Sequence, residues 1–205
     1  TFDHALKAID DIFLFRLLAR EVAFKHGIVL TFLPKPLAAQ GGSGVHVNFS
    51  FRDAAGHNQI NGGGDPARMN AVTRGSLAGL MHHHRGLAGL AAPCVNSYDR
   101  LKPASMSGYW CNWGVDHRGV TVRLGTEEGP SARLEHRMGD GAANPYTLTA
   151  AVLQAARLGV QNGYALQAAE TGDSFERNDA TVGVADDLGG ALDALEADSA
   201  LVQAV

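Results

Sequence analysis

At 205 residues with 45% hydrophobic content, the chain is long enough to bury one sizeable core, arranged as one large domain or two small ones. A net charge of -4 and a pI near 6.1 exclude a basic surface that tracks a phosphate backbone, so nucleic acid is not an expected partner, while basic pockets for small anions stay open. Cys94 and Cys111, the two cysteines, are too few for a disulfide framework or a thiolate zinc cage, and buried free thiols in a reducing cytoplasm are expected.

From Ala5 to His26 the pattern ALKAIDDIFLFRLLAREVAFKH puts Ile9, Ile12, Phe13, Leu17 and Phe24 near one helical face, with Gly27 as the residue that ends the helix. IVLTFLPKP reads as a buried strand closing at Pro34. It is followed by KPLAAQGGSGVHVNFS, in which Gly41, Gly42 and Gly44 precede a strictly alternating run through Phe51. Val45, Val47, Phe49 and Phe51 therefore share one face of a strand, His46, Asn48 and Ser50 the other, and the two strands are expected to pair as a hairpin. Glycines beside an imidazole, an amide and a hydroxyl suit a ligand that approaches bare backbone N–H groups.

NQINGGGD, Asn58 to Asp65, is a loop, and Met69 to Leu90 regains helical spacing. His82, His83 and His84 within it point about 100° apart from one another, cannot converge on one ion, and are expected at the helix surface and boundary. Pro93 and Pro103 bracket an irregular loop that carries Arg100. Tyr109 to His117, Val120 to Leu124 and Arg133 to Met138 read as three strands, with EEGPSA as a turn. Asn144 caps a helix from Pro145 to about Leu158. The stretch from Glu170 is polar, and Leu188 to Val205 recovers helical character. No apolar run approaches a membrane span. A start at Thr1 without an initiator Met and an end inside a helical pattern predict a segment of a longer protein.

Arg118, Arg123, Arg133 and Arg137, with Glu135 among them, fall on consecutive expected strands. Crowded guanidinium groups repel unless an anion sits between them, and their donor forks match phosphate and carboxylate oxygens. A solvated ladder of ion pairs on an exposed sheet face is the competing reading. His46 and Glu135 on facing polar strand sides add a pair able to hold one divalent cation, although a lone strand histidine is more often simply hydrogen-bonded.

These residues carry a resemblance. KPLAAQGGSGVHVNFS resembles the ATP-site signature of the glutamine synthetases, PCVNSYDRLKP their glutamate-binding loop, DHRGVTVRL their paired-arginine strands, and RLEHRMGDGAANPY their Arg-Ile-Glu-x-Arg segment with its Ala-Asn-Pro-Tyr. The four motifs stand in family order. The resemblance implies an α+β catalytic domain with a curved, mostly antiparallel sheet and flanking helices, spanning the whole chain as a partial domain whose amino-terminal β-grasp neighbour and first-metal glutamates lie elsewhere.

It further implies ATP-dependent ligation of glutamate to ammonia or an amine through γ-glutamyl phosphate in a homo-oligomer, with Mg2+ or Mn2+. His46 and Glu135 would bind the metal beside the γ-phosphate. Ser50 and Asn48 would meet the nucleotide, Arg118 and Arg123 the phosphate chain. Arg100 and Gly42 would hold glutamate, and Arg137 both glutamate and the transferred phosphoryl group. A non-catalytic homologue that only binds nucleotide or a partner subunit is the alternative, and the 205 residues alone are expected to bind nucleotide weakly without ligating.

Departures from the family pattern matter. Gly41 replaces an Asn, Asn48 a second His, and Pro130 stands where a Lys is usual. In PASMSGYW, Met106 occupies the place of the Glu that closes the site and helps deprotonate ammonium. A thioether removes that base and leaves an apolar wall, so a larger amine, met by Met106, Tyr109 and Trp110, is expected.

Overall fold

The computed structural model describes residues 3–172 and 180–205. Seven helices and a four-stranded sheet make it an α+β fold among the described residues. The helices are α1 (Ala5–Lys25), α2 (Ala71–His82), α3 (His84–Ala91), α4 (Ser97–Arg100), α5 (Pro145–Asn162), α6 (Leu188–Ala197) and α7 (Ser199–Ala204). The strands are β1 (Val47–Phe49), β2 (Trp113–Val115), β3 (Val122–Leu124) and β4 (Leu134–His136), in the order β1-β4-β3-β2. β4 runs antiparallel to both β1 and β3, whereas β2 and β3 are parallel.

The period of two sorts the sheet's faces as the alternation predicts. Val47, His136, Val122 and Trp113 stand in one register row and Phe49, Leu134, Leu124 and Val115 in another. Side chains of these rows join a core that includes Leu77 and Leu80 of α2 and Leu148 and Val152 of α5. α2 and α5 approach backbone to backbone: a Cβ on Gly79 would lie 2.8 Å from the Gly159 Cα, and one on Gly75 2.8 Å from the Val160 Cα. Asn144 caps α5 by accepting from the amides of Tyr146 and Thr147, Pro145 opens the helix, and Gly163 closes it at φ 64°.

Several expectations are corrected. Residues 28–33 form no strand and no hairpin; Ile28, Val29 and Leu33 are exposed, and β1, the edge strand of the sheet, pairs with β4. The expected strands shrink to three residues each. The helix expected from Met69 to Leu90 breaks at His83, which ends α2 and precedes α3. That break turns two of the three histidines inward. His83 and His84 are 1% exposed, His83 Nδ1 lying 2.7 Å from Asp198 Oδ2 and His84 Nε2 donating to the Tyr109 carbonyl, while His82 stays outside and stacks on Tyr164.

α1 forms as expected, with Gly27 following at φ 68°, yet only Ile9 of its expected face is buried. Phe13, Leu17 and Phe24 are exposed, because α1 meets the rest of the described chain mainly where Arg16 donates to the Ala143 carbonyl and Tyr146 contacts Asp10 and Phe13. Cys111 is buried, and Cys94 only half so. The polar stretch expected from Glu170 lies partly outside the described residues. No helix among the described residues is long and apolar enough to cross a membrane.

Candidate active site

The polar face of the sheet carries one continuous row. Asn48 stands opposite Glu135, and Glu135 opposite Arg123, so an amide, a carboxylate and a guanidinium from three strands project to one side. Glu135 is the hub. Its Oε1 lies 2.9 Å from His46 Nδ1 and accepts from Arg137 Nη1 at 3.0 Å, while its Oε2 accepts from Arg123 Nη1 at 3.3 Å. The His46 hydrogen bond, then the charge of Arg137, with a smaller share from Arg123, holds the carboxyl well below its ordinary range, at about 2, against a burial that pulls the other way.

Glu135 therefore stays ionised at neutral pH beside two guanidinium groups. Arg123 is also tied to Asp116, which donates no proton but accepts from Nε at 3.0 Å and holds a left-handed backbone at φ 47° in the turn between β2 and β3.

The glycine turn explains itself against Arg100. This arginine is buried, and its Nη1 and Nη2 donate to the carbonyls of Met138 and Arg137 at 2.7 and 3.3 Å. A Cβ on Gly44 would sit 2.7 Å from Arg100 Nη2 and 3.2 Å from His46 Nε2, and one on Gly42 would press on Pro34 O and the Arg100 stem. Bare backbone at Gly42 and Gly44 lets the guanidinium pass between the turn and the end of β4. Ser43 and Gly44 are stitched there, since the Gly141 amide donates to the Ser43 carbonyl and the Val45 amide to Gly139.

Not every expected residue joins this cluster. His46, Glu135, Arg123, Arg137, Asn48, Arg100 and Gly42 are brought together. Arg133 turns away to Glu127, because it precedes the strand and faces the turn before it. Arg118 is exposed in the turn before β3. Ser50 is half-buried and lines, with His46 and Asn48, a cavity of about 690 Å³ along the β1 edge between α1 and α5. Met106 is 52% exposed, on a loop anchored to Arg100 by the Ser105 hydroxyl. Tyr109 donates to Asp186, and Trp110 to the Pro103 carbonyl.

Sequence reasoning missed Asp116 and Asp140. Asp116 sits in the quoted DHRGVTVRL, and its turn-forming type was the available signal. Asp140, fully buried, offered only flanking glycines.

As a cation site the pair His46 and Glu135 offers one nitrogen and one oxygen donor at suitable separation, which fits two ligands of a divalent ion. No group of three or more such side chains occurs among the described residues, so further ligands must come from a substrate or from beyond them.

The model of the glutamine synthetase catalytic domain matches residues 1–205. The chain is 37% identical over 161 residues to a glutamate–isopropylamine ligase of Pseudomonas sp., covering 78% of this chain and 35% of that protein. It is 31% identical over 210 residues to a glutamine synthetase of Pyrococcus abyssi, covering 100% of this chain and 47% of that one. A solved GmaS/ADP complex superposes with a TM-score of 0.89 at 32% identity over 100% of this chain and 48% of its own. Apo GmaS superposes with a TM-score of 0.86 at 34% identity, covering 98% and 46%. The chain thus spans about a third to a half of the length of these relatives. With four motifs in order on one constellation and a match from end to end to the model of the catalytic domain, the chain belongs to the glutamine synthetase family.

Proposed function

We propose that the whole protein is an ATP-dependent ligase that joins the side-chain carboxylate of glutamate to an amine through γ-glutamyl phosphate. The observation that carries this reading is the convergence of Arg123, Arg137 and His46 on the Glu135 carboxylate. Phosphoryl transfer needs little covalent help from a protein and much positioning and charge neutralisation, which this cluster is built to give. Arg137 and Arg123 take phosphoryl oxygens, Arg118 reaches the outer phosphates from its exposed turn, and Ser50 and Asn48 meet the nucleotide along β1. Arg100, with the bare backbone at Gly42, holds glutamate. A Mg2+ or Mn2+ ion held in part by His46 and Glu135 would supply the divalent charge that balances the phosphates.

For the acceptor, Met106 in the family's glutamate position and the isopropylamine ligase among the relatives support an alkylamine over ammonia. Phosphate release by the whole protein with ATP, magnesium and glutamate, compared across ammonia, methylamine and isopropylamine, tests both parts. Amine-dependent release is expected, lost at least about a hundredfold in Glu135→Ala. Met106→Glu is expected to shift preference toward ammonia. No amine-dependent release under any condition would favour a homologue that binds without ligating.

A further inference from the structure

Asp116 follows the last residue of β2, and its amide donates to the Leu124 carbonyl at 2.9 Å, which sets it beside Arg123 of β3. Among the described residues it is the one non-glycine with a left-handed backbone, at φ 47°. Glycine or asparagine meets that backbone demand as readily as aspartate does, so the turn alone does not call for a carboxylate. Nor is the carboxylate spent on the turn. The local bond there is made by His117, whose Nδ1 accepts from the Gly119 amide at 3.0 Å.

Asp116 instead faces the cluster. Its Oδ1 accepts from Arg123 Nε at 3.0 Å and also from Arg123 Nη2, while Arg123 Nη1 reaches Glu135 Oε2 at the longer distance of 3.3 Å. The arginine thus stands between two carboxylates and gives its paired donors to Asp116. Left with Glu135 alone, the fork would turn those paired donors onto that carboxylate, because two parallel bonds to one carboxylate are the geometry a guanidinium favours. Phosphoryl oxygens would then find the arginine taken, and a cation would find Glu135 neutralised. The Asp116 side chain is half open to water, and an ion pair so exposed adds little to folding.

We propose that Asp116 is a positioning residue: by taking the Nε and Nη2 side of Arg123 it leaves Glu135 a single donor of that guanidinium, holds the remaining donors ready for the phosphates of the nucleotide, and so sets the affinity for ATP. The proposal rests on the reading of Arg123 as an arginine that takes phosphoryl oxygens. Asp116→Asn and Asp116→Gly both suit the left-handed backbone and both lack the carboxylate. In the whole protein each is expected to raise the KM for ATP about tenfold, with the KM for glutamate within about threefold of the parent and the urea midpoint not lowered. Added to Arg123→Gln, Asp116→Asn should raise the KM for ATP no further, because residues that act through one group are not additive.

A second arm needs no turnover. Calorimetric titration of the whole protein with ATP and magnesium, glutamate omitted, should show the same loss of affinity in both variants. An unchanged titration overturns the proposal. Tighter binding of ATP also overturns it, because the carboxylate would then merely repel phosphate. So does full additivity with Arg123→Gln, or a lowered urea midpoint with both KM values raised together, since Asp116 would then be scaffold. If the parent binds ATP but forms no γ-glutamyl amide, the functional reading fails, and the titration still decides for or against Asp116. A parent that binds no ATP overturns both.

Discussion

α5 and α1 are both long helices with apolar stripes, yet they end in opposite conditions. α5 lies against α2 so closely that glycines at 75, 79 and 159 are required by backbone contact, and seven of its residues are buried. α1 buries Ile9 alone and leaves Phe13, Leu17, Leu18 and Phe24 more than half exposed. Such an apolar stripe promises that a face wants cover; it does not say that cover is present.

The sharpest way to break this comparison is to force the α2–α5 contact apart. A side chain at Gly159 would run into the Gly75 carbonyl and the Gly79 backbone, atoms that cannot yield as a flexible side chain does. Gly159→Val should therefore cost about 4 kcal/mol or more, read by urea unfolding followed by circular dichroism. A cost under 1 kcal/mol would show that α2 and α5 do not meet backbone to backbone.

Acid attacks only the packed region. Burial pushes His84 down to about 4 and His136 down to about 3 from an ordinary 6.5. Between those values and 6.5 the unfolded chain binds more protons than the folded one, so this contribution to stability is full above pH 6.5 and is lost as pH falls toward 4 and 3. Glu135, held down to about 2, adds its own loss only below its ordinary 4.5. The urea midpoint should thus fall already between pH 6.5 and 4.5, and His136→Phe should flatten that slope. An unaltered slope in the variant would remove His136 from the account.

Within α1 the two conditions can be compared on one helix. Ile9→Ala removes a buried side chain and should cost about 2 kcal/mol. Phe24→Ser removes one that is 78% exposed and should change stability by less than about 0.5 kcal/mol. Equal effects would mean that α1 is covered in solution by a second molecule.

The same contrast explains what could be read in advance. Strand alternation placed Asn48, Glu135 and Arg123 on one face and Leu134, His136 and Val122 on the other, because a strand's period of two is local and survives any packing. The stretch from Ile28 to Leu33 has strand composition and forms none, since composition does not by itself supply a neighbouring strand, and none of the sheet's four strands pairs with it. Three consecutive histidines look like surface until a break at His83 rotates two of them into the core.

By itself the sequence determined the helix cap at Asn144, the two-faced character of the strands, and the residue types of the cluster, all of which depend on neighbours a few positions away. Only the tertiary structure decided that Glu135 would gather His46, Arg123 and Arg137, and that Arg133 would leave them. Those outcomes join residues as far apart as 46 and 135. Their charges interact through distance and burial, which no local pattern along the chain encodes.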